Sequence, residues 1–90
     1  MDIEVPVTFS NFIISLSSSA LVYLGELPEP SSGKKVKDLK MAKHAIDTLD
    51  MLKEKTKGNL TSDEERLLTE ILTDLKLKYV KLKKEEKVEG

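Results

Sequence analysis

No cysteine occurs in the 90 residues, which excludes disulfides and thiolate metal sites. A single histidine, His44, leaves a histidine-based metal centre within one subunit short of ligands. Tryptophan and glutamine are absent, and arginine occurs once, at Arg66. A chain of this length forms one domain at most, spanning residues 1–90. Its core is thin, and small folds of this kind lean on disulfides, metals or association. With the first two excluded, association remains. The 15 basic and 16 acidic residues leave a net charge of −1. That balance argues against nucleic acid as a partner, since neutralising phosphates takes a basic excess. Asp2 and Glu4 stand where an export signal would carry Lys or Arg, so the expected compartment is the cytoplasm.

The most telling absence is local. From Val5 through Gly25 there is no charged residue, although Glu4 and Glu26 flank the block and a third of the whole chain is charged. These residues are kept from water in the protein's own core, against another chain, or in lipid. The lipid reading is disfavoured. About 17 helical residues reach ~25 Å, short of a ~30 Å hydrocarbon layer. The block also holds several Ser, Thr and Asn side chains and has acidic flanks.

What is present reads as helix. No strand alternation appears outside the short EVPV start. The first helix is expected over about 9–24, with Thr8 as N-cap and Gly25 as the stop. Phe9, Phe12, Ile13, Leu16, Ala20, Tyr23 and Leu24 fall on one face, the expected core stripe. A linker follows over 26–37, where Pro28 and Pro30 bar helix and favour an extended path. It is long enough to let the first helix dock on another subunit. Asp38 caps a second helix over about 38–57, with Leu39, Ala42, Ala45, Ile46, Leu49 and Leu52 in a stripe and Met41 at its edge. Gly58 and Asn59 stop it, and Thr61 with Glu64 forms a capping box for a third helix over about 62–85. Leu68, Ile71, Leu72, Leu75, Tyr79 and Leu82 line one of its faces. The short connection predicts an antiparallel hairpin of helices two and three. The expected fold class is all-α: three helices, the hairpin plus an apolar N-terminal helix, completed by oligomerisation.

The pieces TFSNFIISLSSSALVYLGELPEP, AKHAIDTLDMLKEKTKGNLT and EERLLTEILTDLKLKYV resemble a small bacterial family catalogued as domain of unknown function 1844. SSALVYLGE and EKTKGNLT are the most specific parts, and the likeness runs from about Val7 to Val80. The resemblance implies a short helical bacterial protein and no activity, so no site residue is carried over from it.

Behind the core stripe, the first helix carries Ser10, Asn11, Ile14, Ser15, Ser18, Ser19, Leu21 and Val22. A solvated face would carry Lys or Glu. Asn11, Ser15 and Ser19 recur every four residues, a spacing of small side chains that permits close helix approach. The residues expected to form an interface are Asn11, Ile14, Ser15, Ser18, Ser19 and Val22. The partner expected first is a second copy, in a dimer, because two-fold closure is the commonest arrangement. The alternative is that the other two helices wrap the first within one subunit.

No catalytic constellation is evident. His44, Asp47 and Asp50 share a helix face, but His44 falls among Lys40, Met51 and Lys55 and points to water. The serines lack a G-x-S-x-G elbow. No enzyme activity, cofactor or metal is expected. Two rivals to the assembly reading stay open. One is a small apolar ligand held between the first helix and the hairpin by Phe9, Phe12 and Tyr23. The other is a peripheral membrane contact through the first helix or the Lys-rich tail, where Leu77 and Val80 lie off the main stripe.

Overall fold

Each helix begins at a side chain that accepts an otherwise orphaned backbone N–H. The computed structural model describes residues 4–89; Asp2, part of the acidic start, lies outside them. Helix α1, Phe9–Tyr23, opens where Thr8 sits in extended backbone and its hydroxyl accepts from the Asn11 N–H at 3.0 Å. The Asn11 side chain in turn donates to the Pro6 carbonyl at 2.9 Å, fastening the extended segment before the helix. Helix α2, Leu39–Lys55, opens at Asp38, which accepts from the Met41 N–H at 3.1 Å. Helix α3, Ser62–Glu89, opens on a reciprocal pair. The Glu64 N–H donates to the Thr61 hydroxyl at 3.2 Å, and the Thr61 N–H donates to the Glu64 carboxylate at 2.8 Å.

The stops are equally local. At the end of α1 the Glu26 N–H reaches the Leu21 carbonyl at 2.9 Å and the Gly25 N–H reaches the Val22 carbonyl at 3.0 Å. This paired arrangement places Gly25 at φ 82, a left-handed conformation that favours glycine. A Cβ there would also sit 3.2 Å from the Val36 carbonyl oxygen, so both the angle and the room call for glycine. Helix α2 ends at Lys55, two residues before the expected limit, and the hydroxyl of its C-cap Thr56 donates back to the Leu52 carbonyl at 2.6 Å. Helix α3 runs past its expected end to Glu89.

The linker does not take the extended path its prolines suggest. The Glu29 N–H donates to the Lys34 carbonyl at 2.8 Å and the Gly33 N–H to the Glu29 carbonyl at 2.7 Å, closing Pro30–Ser32 into a turn. The chain then doubles back, and the Asp38 N–H donates to the Tyr23 carbonyl at 2.8 Å. The start of α2 is thereby tied to the end of α1. As a result α1 packs on α2 and α3 of its own chain.

The fold is all-α, with three helices and no strand among the described residues. Helices α2 and α3 run antiparallel, with the Asp50–Lys76 ion pair, 2.9 Å, crossing between them. The core takes Ile13 and Ala20 from α1 with its C-cap Leu24, Ala42, Ile46 and Leu49 from α2, and Leu68, Leu72 and Leu75 from α3. Phe9, Leu16, Leu21, Tyr79 and Leu82 pack around its rim. No polar side chain is buried among the described residues. The molecule is a slab of 43 × 37 × 16 Å. A 16 Å depth holds about two helix layers at 8–10 Å between axes, so no helix is enclosed on all sides.

Because the core is this small, single truncations are costly. Leu68→Ala is expected to remove about 2–5 kcal/mol from the unfolding free energy in urea. Gly25→Ala is expected to cost more than ~1 kcal/mol, from the strained φ.

Candidate interaction surface

The inward direction of α1 is set by its fully buried residues, Ile13 and Ala20. Advancing about 100° per residue from them, Ile14, Ser18, Asn11, Val22, Ser15, Ser19 and Phe12 follow one another around an outward arc of roughly 160°. Ile14 and Phe12 stand at its two margins, 46% and 49% exposed. Between them the surface is made of small side chains. Ser15, Ser18 and Ser19 are exposed, while Asn11 and Val22 are half-buried. The six residues expected to form an interface therefore share one face of one helix, and the other two helices leave that face uncovered.

Two residues change sides relative to expectation. Phe12, expected in the core stripe, lies on the outward face. Leu21, expected behind the stripe, packs on the core. The buried direction is rotated by roughly 40° from the centre of the aromatic stripe. Ile13, Ala20 and Leu24 are the residues buried against the hairpin, and on the same wheel Phe12 falls roughly 100° from Ile13 on the exposed side.

The outward polar groups are partly satisfied within the chain. The Ser18 hydroxyl donates to the Ile14 carbonyl at 3.1 Å, and the Asn11 side chain holds Pro6. Covering them costs less than covering free polar groups. Ser15, Ser18, Ser19 and Val22 also line one open cleft with Tyr23 and, from the linker, Glu29 and Pro30; its volume is about 460 Å³. Further apolar surface flanks α1 at both ends. Val7 is fully exposed and Val5 67% exposed on one side, and Leu27 is 40% exposed on the other.

The titratable groups around His44 are already engaged. Asp47 pairs with Lys43 at 2.7 Å and Asp50 with Lys76, so neither carboxylate is held by His44, which is exposed. The hydrogen bond and negative charge of Asp47 raise the Lys43 ammonium above the ordinary lysine range. No group of three or more His, Cys, Asp or Glu side chains suited to a metal ion occurs among the described residues. Of the three aromatic residues, Phe12 and Tyr23 lie three turns apart along α1, with Phe12 exposed on the outward face and Phe9 packed against the core. Among the described residues no helix is long and apolar enough to cross a membrane. A second apolar spot, Leu77 and Val80, stands out on α3 at 67% and 49% exposure.

The sequence pattern of the family described as Domain of unknown function (DUF1844) matches residues 6–81, which takes in α1, the linker, α2 and most of α3. The chain belongs to that family. No curated protein and no solved structure matches it. The DUF1844 match includes the whole uncovered face of α1, so that face lies inside the family domain.

The placement of Phe12 is testable by stability. In dilute protein, Phe12→Ser is expected to cost about 1 kcal/mol or less and Ile13→Ala about 2–5 kcal/mol in chemical denaturation.

Proposed function

We propose that this DUF1844 protein is a non-enzymatic assembly module whose working surface is the outward face of α1 and whose first partner is a second copy of itself. One observation carries the reading: a half-turn of exposed helix without a charged side chain, rimmed by Phe12 and Ile14, in a protein whose other outer faces are dense with Lys, Asp and Glu. The mixed charge of those other faces suits bulk water and supports residence in the cytoplasm.

Area and electrostatics favour an antiparallel two-fold pair. The outward arc of α1 offers on the order of 400 Å² of surface, half of the ~800 Å² that each partner gives to a stable interface. The flanking Val5, Val7 and Leu27 supply more if the arm before α1 in one copy meets the linker after α1 in the other. Antiparallel pairing does this and parallel pairing does not. Helix α1 has no acidic residue in its first turn and no basic residue in its last, so its dipole is uncompensated by its own side chains. An antiparallel neighbour places the positive end of one helix beside the negative end of the other. The same symmetry brings Phe12 of each copy towards the cleft at Ser15, Ser19 and Val22 of the other.

Cysteine-free sequence makes the test direct. Ser15→Cys, near the two-fold axis, is expected to form a covalent dimer on mild oxidation. Val22→Cys is not, because an antiparallel pair separates the two copies of residue 22 by roughly 20 Å. Cross-linking at both positions would replace the antiparallel arrangement with a parallel one. Cross-linking at neither, with Ser15→Glu plus Ser19→Glu leaving the hydrodynamic radius unchanged, would refute self-association through this face.

A further inference from the structure

The near-neutral net charge conceals a separation that only the folded chain reveals. Residues 34–44 carry five lysines against Asp38 alone, and residues 76–84 carry five lysines and no acid. The antiparallel hairpin brings Lys37, Lys40 and Lys43 from the first stretch and Lys83 from the second to one groove. Between them runs an open groove of about 610 Å³ lined by Lys37, Lys40 and Lys43 from one side and Tyr79 and Lys83 from the other. That volume lies within the range of small-molecule sites.

The start of α2 differs in charge from the start of α3. Helix α3 has Asp63, Glu64 and Glu65 in its first turn, which suits the positive end of the helix dipole. Helix α2 has no acid in its first turn and carries Lys40 there, with Lys37 just before it. Asp38 is engaged as the cap. Asp38 and Glu86 also reach the groove, but among the described residues Lys37, Lys40 and Lys83 form no ion pair, whereas Lys43 is held by Asp47. The groove thus holds four lysines against two carboxylates, with three of the lysines free of an ion pair among the described residues.

We infer that this groove is a binding site for an oligophosphate, a compact chain of two or more linked phosphates, free or as the tail of a nucleotide. Three unpaired ammonium groups around a helix N-terminus call for more than one negative charge at close spacing. Lysine supplies mobile point charges, which suit phosphate oxygens in several geometries and lack the planar fork that selects a single carboxylate. Tyr79, half-buried between the lysines, offers an aromatic surface to a base. No residue of α1 lines the groove, so this site stands apart from the self-association proposed above.

The test is a titration of the full chain, isotopically labelled for amide NMR, with tripolyphosphate and separately with ATP at constant ionic strength. Saturable shifts confined to the amides of residues 37–43 and 79–83 are expected. Lys40→Gln and Lys83→Gln should each weaken binding roughly two- to fivefold, and Lys57→Gln, at the other end of the hairpin, should not. Tighter binding of ATP would assign the ligand as a nucleotide, and equal or weaker binding would assign the bare chain; both support the site. Shifts reproduced by sulfate at the same ionic strength, or binding unchanged in Lys40→Gln and Lys83→Gln, would overturn it. So would an oligonucleotide whose affinity keeps rising with length beyond the groove, since a nucleic-acid backbone would then be the ligand. The Ser15→Glu, Ser19→Glu variant should bind tripolyphosphate as wild type does, which keeps failure of either proposal distinct from failure of the other.

Discussion

The burial of one face of α1 against the α2–α3 hairpin governs the rest of the structure. Ile13, Ala20 and Leu24 meet three buried residues from each of the other helices, and no polar side chain enters that core among the described residues. Nine side chains are a small core for 90 residues, so each carries a large share of the stability. Three helices in a slab 16 Å deep can cover one side of α1 and not the other. What the outer side presents is therefore a property of the sequence, and the sequence places serine, asparagine and aliphatic residues there in place of charge.

Much of this architecture is legible without coordinates, and the legible parts are short-range. Thr8, Asp38 and the Thr61–Glu64 pair are visible as caps because each acts on amides within three residues. Gly25 is visible as a stop for the same reason. The stripes on α2 and α3 are unambiguous because Lys, Asp and Glu fill the remaining positions and leave one apolar face. On α1 that contrast is missing. With no charge to mark the outside, the wheel gives the inward direction only to within roughly 40° of the centre of the aromatic stripe. Phe12 and Leu21 fall on the sides set by the burial of Ile13, Ala20 and Leu24. All six interface candidates share the outward face because they lie near the middle of the arc, where a rotation of this size does not matter.

Two features depend on contacts distant in sequence and could not be read locally. One is the doubling back of the linker. Its Pro, Ser and Gly content signals a break in helix, but the hydrogen bond from Asp38 to the Tyr23 carbonyl decides where the chain goes next. The other is the basic end of the hairpin. A summed charge near zero excludes nothing about local fields, because the antiparallel pairing of α2 and α3 brings Lys37, Lys40 and Lys43 to one groove with Lys83. The molecule thus has an uncharged side along α1 and a positive end at the start of α2.

The two surfaces are built on different elements and use different physics. Apolar contact and close backbone approach would act on α1, and salt-sensitive attraction would act at the groove. The claim on which the account most depends is that α1 is covered by a second copy. Light scattering on the wild-type chain between low micromolar and millimolar concentration tests it most directly. The account predicts a mass that rises with concentration to twice the 10.1 kDa of one chain. A folded protein that holds the mass of one chain across that whole range would contradict it.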